Sequence, residues 1–254
     1  MGIGNVYSLE NKVALITGGS SGIGLGIARQ FVALGARVAI TGRDLEKLQS
    51  AKAELGENCY VFQYDITDKK GYPGLIRRIE SELGPLSVLV NNAGMHQKIA
   101  SEKVSDKEFQ AVIDINLNCV FALSREALKV MVPRTEGSII NISSMAALYG
   151  LPFVAAYSSS KTALLGLTRS LASEYSCSGV RINAIAPGFI ESEMLRNVMQ
   201  KDPDRERKVL ERTPMKRLGT ADEIGYAAAF LASDASKFIT GTCLPVDGGN
   251  SIGF

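Results

Sequence analysis

The chain should fold as an α/β protein, with a parallel sheet doubly wound by helices on both faces. Three features carry this expectation. Seven short runs are apolar almost without interruption, as strands covered on both faces are. Stretches of helical length separate them, so strand and helix alternate along the chain. At 254 residues, 46% hydrophobic and 21% charged, the chain has the size and composition of one well-packed domain. No repeat, low-complexity tract or proline-rich linker interrupts the series, so a single domain is expected over 1–254, beginning with a short N-terminal segment at 1–11.

The expected strands are KVALITG (12–18), ARVAIT (36–41), CYVFQYD (59–65), LSVLVNN (86–92), GSIINIS (137–143), VRINAIA (180–186) and CLPVD (243–247). Among the helices, GLGIARQFVAL follows the first strand and DLEKLQSAKAEL the second. Asp44 stands where it would cap the latter. TADEIGYAAAFLAS (220–233) opens with a capping box, Thr220 followed three residues on by Glu223. Only the segment from about 189 to 218 breaks the rhythm. It includes the charged stretch KDPDRERK (201–208), a solvated helix face by composition, and its position after a strand also suits a lid over a ligand.

Bulk properties exclude several classes of function. A net charge of +2 gives no reason to expect a nucleic-acid or membrane partner, and no run approaches the ~20 apolar residues of a membrane span. The N-terminus lacks the basic and apolar regions of a secretory signal. Cys59, Cys119, Cys177 and Cys243 are isolated from one another, which suits a reducing, cytoplasmic setting. With His96 the only histidine, no metal-binding cluster is expected.

The turn LITGGSSGIGLGIA joins the first strand to the first helix. Gly18, Gly22 and Gly24 let the backbone turn tightly and approach a pyrophosphate, while the helix N-terminus offers free N–H groups to the anion. Ser20 and Ser21 add hydroxyls. This strand–loop–helix setting predicts a dinucleotide site. An NAD site commonly ends its second strand with an acid that holds the ribose 2′-hydroxyl. Here that place is Gly42, followed by Arg43, which favours a 2′-phosphate and so NADP(H), with NAD(H) as the lesser possibility.

YSSSK (157–161) sets a phenol and an ammonium four residues apart, on one face of an opening helix. A cation beside a phenol lowers its pKa, which would suit a general acid or base. The spacing alone is equally that of an ordinary surface pair.

TGGSSGIG (17–24), NNAG (91–94), Asn116 in DINLN, Ser144 in NISS, Tyr157, Lys161 and PG (187–188) occur in this order along the chain. In these motifs and their spacing the chain resembles a short-chain dehydrogenase/reductase from end to end. The resemblance implies a seven-stranded Rossmann sheet, usually assembled as a homotetramer or homodimer. It also implies four catalytic positions. Tyr157 would exchange a proton with the substrate oxygen, and Lys161, with the nicotinamide's charge, would draw the phenol's pKa toward neutrality. Ser144, at the family's interval of thirteen residues before Tyr157, would hold that oxygen, and Asn116 would anchor a water of the proton relay. The cofactor would touch Gly18, Ser20, Ser21, Gly22, Ile23 and Gly24, then Arg43, Asp65 and Ile66. Asn91, Asn92, Ala93 and Gly94 would border it further along, with Tyr157, Lys161, Pro187, Gly188, Ile190 and Ser192 at the nicotinamide end. VDGG (246–249) is a structural turn on this reading.

The expected activity is NADP(H)-dependent interconversion of a ketone and a secondary alcohol on a small polar substrate: a sugar acid, polyol or keto-acid. The chain is similar to the gluconate 5-dehydrogenase type and to the 3-oxoacyl-carrier-protein reductases. The latter place basic residues near the active-site mouth for an acidic carrier; the matching positions here are Thr135 and Ser178, with Arg134 alongside. A cofactor-binding sensor without turnover is the third reading, disfavoured because all four catalytic positions are filled. Specificity is expected from His96, from MAALYGLPFV (145–154) and from 189–218.

Overall fold

The structure is a computed structural model that describes residues 6–191 and 203–253. Its strands are β1 (Val13–Thr17), β2 (Arg37–Gly42), β3 (Cys59–Gln63), β4 (Leu86–Asn91), β5 (Gly137–Ile142), β6 (Val180–Pro187) and β7 (Cys243–Val246). All pair in parallel in the order β3-β2-β1-β4-β5-β6-β7. Each coincides with an expected run to within a residue or two. β3 stops short at Gln63 because Asp65 folds its carboxylate back onto Thr67, accepting from the backbone N–H at 2.9 Å and the hydroxyl at 2.8 Å.

The described helices are α1 (Gly22–Ala33), α2 (Leu45–Leu55), α3 (Tyr72–Leu83), α4 (Asp106–Ile113), α5 (Cys119–Met131), α6 (Ala155–Tyr175), α7 (Pro203–Arg212) and α8 (Ala221–Ala232). Both anticipated caps form: Asp44 accepts from the Lys47 N–H, and Thr220 and Glu223 complete a capping box.

Alternate residues of each central strand enter opposite cores, as the period of two requires. Ala14, Ile16, Val38 and Ile40 face α1, α2 and α8 through Ile27, Phe31, Leu48 and Ile224. Val13, Leu15, Ala39 and Leu89 face α3, α5 and α6 through Ile79, Leu123 and Leu171. With both faces covered, the strands must be apolar throughout, which is why they were legible. α1 and α8 approach closely where Gly26 meets Ala221: a Cβ on Gly26 would lie 2.5 Å from the Ala221 carbonyl. The strand order reverses between β1 and β4, and in open α/β sheets that reversal places the ligand crevice at the carboxyl ends of the strands.

Candidate active site

At the carboxyl end of β1 the chain turns through Gly18 and Gly22, whose φ angles of +66° and +52° favour glycine. Gly24 is needed for a different reason: its Cβ would lie 2.2 Å from the Gly18 carbonyl oxygen. A Cβ on Gly22 would meet nothing within 4 Å, so the loop opens onto free space. Ser21 precedes α1 without a side-chain cap, leaving the first-turn N–H groups to a ligand. A pyrophosphate fits this donor set, with the helix dipole behind it.

The loop after β4 is sewn to the cradle. Asn92 donates through Nδ2 to the Thr17 and Gly18 carbonyls at 2.9 and 3.1 Å, and the Thr17 hydroxyl accepts from the Asn92 and Ala93 N–H groups, both at 3.0 Å. Asn91, expected to border the ribose, instead points inward. It is buried and donates to Ser124 and Asn141, which in turn donates to Thr168. The pleat explains the difference: consecutive side chains leave the strand on opposite faces. Arg43 and Asp65 are both exposed at the carboxyl ends of β2 and β3, close enough for Arg43 to help hold the Asp65 carboxyl below its usual pKa. The hydrogen bonds from Thr67 are the larger cause of that shift. Gly42 lies against Ser20, whose Oγ would be 3.6 Å from a Cβ there.

Tyr157 and Lys161 occupy the opening turns of α6, as their spacing suggests. Lys161 is 5% exposed and donates to the Ile142 carbonyl at 2.7 Å, with its ammonium 5.8 Å from the centre of the Tyr157 ring. Burial pushes its pKa down to about 8. Burial also raises the Tyr157 phenol, and the Ser144 hydroxyl pulls in the other direction. The expected lowering of the phenol by Lys161 is therefore not met within the chain. Both groups are withdrawn from water, which disfavours each charged form, and the ammonium is directed at a carbonyl. Ser144 also caps the short turn Met145–Ala147, its Oγ accepting from the Ala146 N–H at 3.1 Å.

Asn116 lies in a widened π-type turn, Asp114–Asn118, between α4 and α5. Its Oδ1 accepts from the Met95 N–H at 2.7 Å, and its Nδ2 donates to the Met95 carbonyl and the Ser160 hydroxyl at 2.9 and 3.0 Å. The side chain thus clips the loop after β4 to α6. Gly94 stands between: a Cβ there would lie 3.1 Å from Asn116 Oδ1 and 3.5 Å from Lys161 Nζ. The motif intervals select Ser144 over Ser143 and do not mark Ser160. The Ser143 hydroxyl donates to the Lys161 carbonyl at 2.9 Å, tying α6 to the end of β5, while Ser160 donates to the Tyr157 carbonyl at 2.7 Å. Both adjoin motif residues, but nothing local tells which serine of a run faces inward.

Pro187 ends β6, and Gly188 presses against Asp247, where a Cβ would lie 2.6 Å from its Cα. Ile190 bridges to Gly219. Ser192 lies outside the described residues, as does 192–202 within the expected lid; the described remainder includes α7. VDGG is a turn, Gly248 and Gly249 having φ of +61° and +83°.

Beside Tyr157 opens a cavity of 550 Å³, within the usual range for small-molecule sites, roughly 300–1,000 Å³. Ser144, Tyr149, Phe153, Tyr157 and Gly188 are among its lining residues, and His96, Lys98, Lys208 and Arg212 supply its basic groups. The His96 ring meets Tyr157 edge-on, centres 4.8 Å apart. Phe153 has φ +68°, an uncommon conformation for an aromatic residue, at the point where the chain turns into α6. Nothing in the local sequence marks Arg212, because helix α7 alone brings it to the cavity.

A glycine-rich phosphate cradle and a buried tyrosine–lysine pair on one edge of a doubly wound sheet define a nicotinamide-dependent oxidoreductase. The sequence profile of the family described as enoyl-(acyl carrier protein) reductase matches residues 18–251. A 3-oxoacyl-(acyl-carrier-protein) reductase of Rickettsia prowazekii is 40% identical over 244 residues, 96% of this chain and 98% of that protein. A solved structure from Agrobacterium tumefaciens, described as a candidate gluconate dehydrogenase, superposes with a TM-score of 0.94 at 31% identity, covering 98% of this chain and 100% of that one. Another, from Beutenbergia cavernae, is described as a candidate NAD(P)-dependent gluconate 5-dehydrogenase and holds NADP. Its TM-score is 0.91 at 34% identity, over 97% of this chain and 99% of that one. The chain belongs to the short-chain dehydrogenase/reductase family and is an NAD(P)-dependent oxidoreductase acting on CH–OH groups.

Proposed function

We propose that the protein interconverts a ketone and a secondary alcohol on a small polar substrate with NADP(H), Tyr157 serving as the acid and base. The observation that carries this reading is that Tyr157 and Ser144 line one cavity, with Lys161 buried beside Tyr157. The cofactor supplies or accepts the hydride. Tyr157, kept protonated by burial, donates to the carbonyl oxygen in reduction. Ser144 holds that oxygen at the phenol. Lys161, near 8, passes protons on at neutral pH and offers its free N–H groups to the cofactor ribose. Asn116 positions the strand-end loop, with Gly94, against α6 beside Lys161.

The cradle from Gly18 to Gly24, with Ser20, Ser21 and Ile23, would hold the pyrophosphate and its surroundings. Asp65, Ile66, Asn92, Ala93 and Gly94 would line the adenosine-to-nicotinamide path, and Pro187, Gly188, Ile190 and Ser192 the carboxamide. The exposed guanidinium of Arg43, with no acid at Gly42, supports NADP(H). The bound NADP of the Beutenbergia cavernae structure supports the same choice. The free cysteines among the described residues support a reducing, cytoplasmic setting.

The 40% identity with a carrier-protein reductase supports a second reading, a 3-oxoacyl thioester substrate. Against it, Thr135 and Ser178 flank the amino-terminal ends of β5 and β6, the edge of the chain's sheet away from Tyr157. Arg134, next to Thr135 in the chain, is held by Glu80 at 2.9 Å and the Leu86 carbonyl at 3.0 Å. A sensor without turnover would leave the filled tyrosine, lysine and serine positions without purpose.

An NADPH-oxidation assay over ketoses, keto-acids and an acyl-thioester analogue tests these readings together. Turnover of a keto-acid or ketose is expected, with NADPH preferred to NADH. Tyr157→Phe should lower kcat by about 10²–10⁴-fold while cofactor binding persists. Thioester reduction alone would select the second reading, and unchanged turnover in Tyr157→Phe would overturn the mechanism.

A further inference from the structure

Basic groups line the substrate cavity. His96, Lys98, Lys208 and Arg212 line it, and among its described lining residues there is no aspartate or glutamate. The three cations are not equivalent. Lys98 and Lys208 are exposed side chains at the rim, with the Lys98 ammonium 6.0 Å from the centre of the Phe153 ring. Arg212 is half-buried and held in place. Its guanidinium carbon lies 4.1 Å above the Tyr149 ring, and its Nε donates to the Asn250 carbonyl at 3.1 Å. Tyr149 is fixed in turn by donating to Asn250 Oδ1 at 2.5 Å, and Asn250 by donating to the Thr213 hydroxyl at 2.8 Å. Tethered through Nε and stacked on the Tyr149 phenol, Arg212 lines the cavity with the plane of its guanidinium already set.

That geometry matches a carboxylate held through two parallel hydrogen bonds. Little side-chain entropy remains to be lost on binding, because stacking and tether have already fixed the guanidinium. We propose that Arg212 recognises a substrate carboxylate, so that among small carbonyl and alcohol substrates the enzyme selects hydroxy acids and their keto-acid counterparts over neutral polyols and ketoses. This rests on the oxidoreductase reading above and narrows it. Lys98 and Lys208 at the rim raise the local concentration of anions, and their contribution is screened by salt. The reacting carbon sits at Tyr157 and Ser144 while the charged end sits at Arg212, so binding at one end orients chemistry at the other.

The test pairs each acid with its neutral analogue, an aldonate with the matching polyol, on the NADPH-loaded enzyme. Binding is read by the change in NADPH fluorescence, and turnover, with NADP⁺ in place of NADPH because both ligands are alcohols, by the absorbance gained. The wild type is expected to bind the aldonate at least tenfold more tightly than the polyol. Arg212→Gln should weaken aldonate binding, or raise its KM, by about 10- to 100-fold. Polyol binding should change less than threefold. Arg212→Lys, which keeps the charge but loses the fork, should recover part of the loss. Equal weakening of both ligands, or a wild type that binds the polyol as tightly as the aldonate, overturns the proposal. Unchanged NADPH affinity shows that a variant is folded. Because fluorescence reports binding without turnover, an enzyme that binds aldonate through Arg212 but reduces no carbonyl would sink the catalytic reading and leave this one standing.

Discussion

Lys161 shows how a single residue can serve chemistry at the expense of stability. The residue is 5% exposed, and burial depresses its pKa from 10.5 to about 8. Between those values the unfolded chain binds a proton that the folded chain does not, so stability rises with pH across this window. Below about pH 8 the folded protein carries the whole desolvation penalty; above 10.5 neither state is charged and the penalty is gone. Lys161→Met should therefore abolish turnover yet stabilise the fold at pH 7 by roughly 1–3 kcal/mol, net of the lost bond to Ile142. Chemical denaturation at pH 7 and at pH 10 would check this, and the advantage should shrink at the higher pH. A destabilised variant at pH 7 would mean that the hydrogen bond outweighs the desolvation. The four motif residues were legible in sequence because their identities and intervals are restrictive. Their partners Ser143, Ser160 and Met95 were not, because contacts through space leave no local mark.

Among the elements, the strand runs and both caps could be read directly, since burial on two faces and cap chemistry each act over a few residues. The π-type turn at Asp114–Asn118 could not be read. It inserts one residue into a helical register, and packing against the loop after β4 fixes it there. The α1–α8 crossing is a second case. A Cβ on Gly225 would lie 2.6 Å from the Gly26 carbonyl oxygen, whereas one on Gly74 in α3 would meet nothing within 4 Å. Gly225→Ala should destabilise by about 1–3 kcal/mol through overpacking. Gly74→Ala, the same change in open space, should be neutral or stabilise by up to about 1 kcal/mol through helix propensity. Paired denaturant midpoints would test the contrast, and similar shifts in both would refute the packing account.

At the scale of the whole molecule, several aromatic side chains are exposed, among them Phe109 on α4 and Phe121 on the next helix, α5, at 39% and 43%. Such apolar surface suits association between copies, and it supports the homotetramer proposed from the family resemblance. Light scattering should give a mass of four chains for the wild type and a smaller assembly for Phe121→Glu; a monomeric wild type would refute the proposal.

The sequence by itself determined the α/β class, the strands, the phosphate turn and the tyrosine–lysine pair. Each depends on backbone conformation or on intervals within one element. Only the tertiary structure decided that Asn91 turns into the core, that the Lys161 ammonium is buried and donates to the Ile142 carbonyl, and that Arg212 enters the cavity beside Tyr157. Those outcomes depend on burial and on the meeting of segments far apart in the chain. Neither is encoded in any one stretch of residues.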